Sequence, residues 1–234
     1  MNDVTVNQGT NPVKYDPKVL GAGADVDVRD ISVGRIAVMS TNSAMVTEEK
    51  AKAGDIIDLE TSEVLGHKEK KPMEVILLKS FKYWITKKGD DFIEKTPGTH
   101  QNEKPWTEGD ITNMFHHSFY VLIPKQVKEM TELPYELAFR STDLATARKI
   151  SKMLLTMARR GEASWNRKFK ITAVQKTNGK HTWYGTDVEP GDITTDEERQ
   201  AAFTWHNQMN AANTVSSVKA EERSSDVDAD DVPF

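Results

Sequence analysis

Apolar residues in this chain fall mostly into short runs with a period of two, broken by two stretches with a helical period. Residues 33–39 (VGRIAVM) predict a first strand. IIDLE and EVLG, around Asp58 to Glu63, predict a short hairpin. The strongest strand signal is 73–88, MEVILLKSFKYWITKK, which is β-branched and aromatic and holds no Gly or Pro. Residues 89–113 are rich in turn formers and read as loop. Strands follow at 117–123 and at 135–140, where Tyr135, Leu137 and Phe139 alternate with Glu136 and Arg140.

Leu144, Ala147, Ile150, Leu154 and Met157 form a helical stripe, which predicts a helix over 143–160. Ser141, Thr142 and Asp143 are its cap candidates and Gly161 its stop. Strands at 165–176 and 181–188 are joined by Asn178-Gly179, a hairpin turn. Thr194-Thr195-Asp196-Glu197-Glu198 is a capping-box start for a last helix over 195–211. The chain is therefore expected to be mainly β with two helices, an α+β protein. The architecture it suits is an OB-like small antiparallel barrel with extensions over 31–212. An α+β sandwich would give the same string of elements. Residues 1–30 read as a flexible arm, and 213–234 as a disordered acidic tail.

Charge changes this picture. The chain has 31 bases and 36 acids, a net charge of -5. Six of the acids and one base lie in residues 221–234, leaving 30 of each in residues 1–220. The body is neutral and the tail holds the whole excess. With no cysteine, disulfides, thiolate zinc sites and cysteine nucleophiles are excluded. The N-terminus carries neither a basic start nor an apolar run, and no stretch has the length of a membrane span, so a cytoplasmic protein without membrane association is expected.

Two segments combine bases with aromatic rings. Residues 79–88, KSFKYWITKK, hold four lysines and no acid, and residues 148–180 hold ten bases against Glu162 alone. Single-stranded DNA is held by cations on its phosphates and by rings stacked on its bases. Strand alternation places Ser80, Lys82, Trp84, Thr86 and Lys88 on one face, with Phe81, Tyr83 and Ile85 assigned to the core. Lys168, Lys170, Thr172 and Lys176 likewise share a face. The candidate DNA contacts are Lys79, Lys82, Trp84, Lys88, Trp165, Arg167, Lys168, Lys170, Lys176, Trp183 and Tyr184. The bland alternative is that these lysines only deter edge pairing and that the rings fill the core.

The chain closes on Asp230-Asp231-Val232-Pro233-Phe234. A terminal ring, a free carboxylate and neighbouring acids make a portable ligand for a basic-rimmed pocket, and Pro233 lowers its ordering cost. This ending resembles the tip of the bacterial single-stranded DNA-binding protein family, which closes on an acidic run and Ile- or Leu-Pro-Phe. PYELAFRSTDLATARKISKMLL, with the basic hairpin after it, is similar to diverged bacteriophage members. The resemblance implies an OB core that binds single strands and a tip that recruits replication, recombination and repair proteins.

Catalytic motifs are missing. His116 and His117 are adjacent on a strand and point to opposite faces, and there is no HExxH or P-loop. Gly21-Ala22-Gly23 lacks the spacing of a dinucleotide fingerprint. The expectation is a non-enzymatic, sequence-independent single-stranded DNA-binding protein with no metal or cofactor, and a homo-oligomer is left open. A recombination mediator or annealing protein is the first alternative, and a protein-interaction module without DNA binding the second.

Overall fold

A computed structural model describes residues 33–68, 71–179 and 181–211. Ten strands form one mixed, strongly curled half-barrel sheet. They are β1 (Gly34–Val38), β2 (Asp55–Asp58), β3 (Val64–His67), β4 (Met73–Lys88), β5 (Asp91–Pro97), β6 (Thr107–Glu108), β7 (Ile111–Leu122), β8 (Tyr135–Arg140), β9 (Arg167–Asn178) and β10 (His181–Ile193). The order across the sheet is β10-β9-β4-β7-β8-β1-β2-β3, with β5 added to β4 and β6 to β7. Only the β1–β8 pair is parallel among the described ladders. The helices are α1 (Ala44–Thr47), α2 (Pro124–Glu129), α3 (Leu144–Arg159) and α4 (Asp196–Ala211).

The sheet carries a different core on each face. Val75, Leu77, Phe119, Leu137, Phe169 and Ile171 line the concave face, where Ala147, Ile150 and Met157 of α3 pack on them. Ile76, Leu78, Tyr120 and Leu122 line the convex face beneath Val127 of α2 and Ala202 and Met209 of α4. A bulge in β4 sets these faces. Leu77 pairs with Val121 but Lys79 pairs with Tyr120, so Leu78 is the extra residue. Beyond it the parity of β4 reverses, and Lys82 and Trp84 turn to the concave side while Phe81 and Tyr83 turn to the convex side.

The expected OB-like small barrel is not the fold. Its closing step is missing, because β3 and β10 end the sheet without pairing to each other. The outer edge of β10 is met by α3 instead. Asp143 accepts a hydrogen bond from Thr186 N at 3.0 Å, and Thr146 Oγ1 donates to Thr186 O at 2.7 Å. These bonds satisfy edge groups that would otherwise seek another strand. The curl brings the β2–β3 hairpin to the far end of the sheet, where Lys68 Nζ donates to Tyr184 Oη at 2.7 Å.

Most expected elements are present with shifted ends. The predicted loop 89–113 contains β5, β6 and the first residues of β7. Gly89, at φ 59°, makes the tight turn that folds β5 back on β4. The last hairpin runs to Ile193 rather than 188. The capping box of α4 forms as expected, with Glu198 N donating to Thr195 Oγ1 at 3.2 Å and Thr195 N to Glu198 Oε2 at 2.8 Å. The expected arm over 1–30 and tail over 213–234 lie outside the described residues.

Trp84 is 2% exposed and sealed by the loop that follows β5. A Cβ on Gly98 would lie 2.6 Å from Trp84 Cδ1 and 2.8 Å from its Nε1. Gly98→Ala is therefore expected to destabilise the fold by about 1–3 kcal/mol, as overpacking does. Urea unfolding followed by tryptophan fluorescence checks this, and an unchanged midpoint would mean the loop yields freely.

Candidate nucleic-acid interface

The residues expected to grip DNA do not converge on one groove. Trp84 is buried against Phe115, with ring centroids 5.2 Å apart, and its Nε1 donates to Glu103 at 3.3 Å. No face of it is open for a base to stack on. Lys82 is exposed and donates to Thr99 O at 3.2 Å. Lys79 lies across the sheet from it, on the convex side beside Tyr120. Lys88 pairs with Asp110 at 2.8 Å.

The β9–β10 candidates are largely neutralised. Lys168 meets Glu198 at 2.7 Å, Lys170 meets Glu74 at 3.9 Å and Lys176 meets Asp143 at 2.9 Å. Lys168, Lys170 and Lys176 do share a face, the convex one, as alternation predicts. Arg167 donates to Gly191 O at 2.8 Å. Trp165 packs on His206 and Phe203, at centroid distances of 4.7 and 6.3 Å. Trp183 is half-buried, and its buried Nε1 has no hydrogen-bond partner. Tyr184 bridges to Lys68, whose ammonium also lies 4.7 Å from its ring centroid. The tip, Asp230 to Phe234, lies outside the described residues.

A better cationic surface is the outer face of α3. The helix holds no Asp or Glu along its length. Its apolar stripe turns inward, which forces Arg148, Lys149, Lys152 and Arg159 outward, and Arg160 follows at the C-cap. Lys149 meets Asp187 at 2.9 Å, but no described carboxylate pairs with Lys152, Arg159 or Arg160. Arg148 and Lys152 are four residues apart and Lys152 and Arg159 seven, about one and two helical turns, so the three line up along one ridge. Leu155 sits within this ridge at 54% exposure.

The ridge continues into the loop over Trp84. Arg148 Nη2 donates to Gln101 Oε1 at 2.6 Å. The same loop carries Trp106, 40% exposed, and takes the Lys82 hydrogen bond at Thr99. Unpaired cations with two exposed apolar groups among them match a strand that offers phosphates and unstacked bases. These bases stand out in the sequence, but strand alternation points to β4 before them and to β9 and β10 after them instead. The usable signal was a helical stripe with no acid on the opposite side.

Among the described residues no cluster of His, Asp and Glu has the form of a metal site, and no helix is long and apolar enough to cross a membrane. The fold and the ridge together define a curled mixed β-sheet protein that presents a cationic helix. The chain belongs to the Pam3 phage gp34-like protein family, which it matches over residues 7–220. That membership supports a phage origin. No curated protein and no solved structure matches the chain.

Proposed function

We propose that this protein binds single-stranded DNA without sequence preference, through the ridge of α3 and the adjoining Trp106 loop, in phage DNA replication, recombination and repair. The observation that carries the reading is the contrast in pairing. Lysines 168, 170 and 176 meet carboxylates, whereas Lys152, Arg159 and Arg160 stand exposed on an acid-free helix. Unpaired exposed cations attract a polyanion with least competition from the protein's own acids. The tip at Asp230, Asp231, Val232, Pro233 and Phe234 would then recruit partner proteins to the coated strand. The reading needs no catalytic group and no cofactor.

Fluorescence anisotropy of a labelled oligo-dT tests it, with the wild-type chain and with the Lys152→Glu, Arg159→Glu, Arg160→Glu triple variant across a salt series. The wild type should bind, prefer the single strand to duplex, and weaken as salt rises. The variant should bind at least about tenfold more weakly, with a log–log salt slope reduced by about 2, since each single-strand phosphate contact contributes ~0.7. No binding by the wild type at low salt, or equal binding by the two chains, defeats the proposal.

A further inference from the structure

Five of the six large apolar side chains on α3 have a place in a core. Leu144 joins Trp84 and Phe115. Ile150 and Met157 lie in the concave core, and Met153 and Leu154 pack against it. Leu155 belongs to none of the described cores and stands 54% exposed. A lone exposed leucine is ordinary and needs no explanation by itself. What sets this one apart is its surroundings.

Turning by about 100° per residue, the helix brings Arg148, Lys152, Leu155 and Arg159 within about 60° of one another around its axis. Leu155 follows Lys152 by three residues and precedes Arg159 by four, or about 4.5 and 6 Å along the axis. It is the apolar member of an otherwise cationic stripe. Lys152 and Arg159 meet no described carboxylate, and Arg148 bonds to the neutral side-chain amide of Gln101 at 2.6 Å. The helix itself supplies no acid. A bound polyanion is therefore drawn to both sides of Leu155 and laid across it.

We infer that Leu155 is the platform on which this ridge seats a base, and that it sets the preference for single strands over duplex. The inference deepens the reading of α3 as the DNA site and rests on it. With phosphates at Lys152 and Arg159, the nucleotide between them turns its base onto the leucine. In a single strand that base is free to unstack and cover an apolar side chain. In duplex the base faces are closed against one another, and the ridge meets phosphates alone. Leucine has no donor or acceptor, so it packs on the face of any base and reads no edge. That is the chemistry a site without sequence preference needs. The apolar area a base covers there is worth roughly three- to tenfold in affinity.

Fluorescence anisotropy of the full chain tests this with three labelled probes: oligo-dT, an oligomer of the same length whose sugars carry no bases, and a duplex. Leu155→Ala should bind oligo-dT about three- to tenfold more weakly than the wild type. Its binding to the abasic strand and to duplex should be unchanged, and its salt slope on oligo-dT too, because no phosphate contact is lost. Leu155→Phe offers a larger face and should bind oligo-dT about threefold more tightly, a gain that a damaged fold cannot produce. Oligo-dT binding that is unchanged in Leu155→Ala, or that moves the same way in both variants, overturns the platform and leaves the cations alone as the site. Equal weakening of Leu155→Ala on all three probes also overturns it, because the side chain would then support the helix and not the base. A wild type that binds no probe at low salt overturns the ridge together with its platform.

Discussion

Glu198→Ala is expected to cost about 3–5 kcal/mol of stability, the range found when one partner of a buried ion pair is removed. Glu198 uses both carboxylate oxygens. Oε2 accepts the Thr195 amide at 2.8 Å and closes the capping box, while Oε1 faces Lys168 Nζ at 2.7 Å. The two side chains are only 10% and 15% exposed, so water does little to replace either partner. Alanine opens the capping box, leaving the Thr195 amide unpaired, and strands the lysine charge against the sheet, just ahead of Ala202, which is fully buried. Urea denaturation gives the cost. A Lys168→Met, Glu198→Met double variant should recover much of it, because the charge and its counter-charge leave together. A loss below about 1 kcal/mol would match a surface pair instead.

The same pair shows where sequence reading reaches its limit. Lys168 and Glu198 are 30 positions apart, and alternation says only which way each points. The acids that neutralise Lys170 and Lys176, Glu74 and Asp143, come from other elements altogether. Local signals did carry: a hairpin forms at the Asn178-Gly179 signal, with Asn178 itself still in β9 and paired to His181, and the Thr195–Glu198 box and the stripe from Leu144 to Met157 form as read. What failed was non-local. The extra residue at Leu78 reverses the parity of β4 and buries Trp84. Nothing within MEVILLKSFKYWITKK marks it, since the bulge is defined only against β7. The parallel β1–β8 pair is equally silent, and without it the elements suit a closed barrel. The α3 ridge was legible, because one amphipathic helix decides it without any distant partner.

Acid should weaken the fold through His116, by about 1.4 kcal/mol per pH unit over the window its proton linkage defines. In the unfolded chain the imidazole takes a proton near pH 6.5, whereas in the fold burial first, then the charges of Arg140, Lys95 and Lys87, hold its pKa down to about 3. Between these values the unfolded state binds the extra proton, so stability is full above about 6.5 and is lost as pH falls toward about 3. His116→Phe keeps a ring beside Tyr83 and removes the proton. From pH 6.5 to 4.5 the wild type should therefore lose about 2–3 kcal/mol more than the variant in urea denaturation. His117 is also held low, at about 4, by burial and then by Lys82, but it contributes to both proteins and cancels in the comparison. Equal losses would mean that His116 finds a proton partner in the fold, and the case that its ring nitrogens have no hydrogen-bond partner would go with them. At neutral pH the variant also sheds two unpaired buried atoms and should be at least as stable as the wild type. A residue that lowers stability in acid and leaves both ring nitrogens without a hydrogen-bond partner is hard to explain by packing alone.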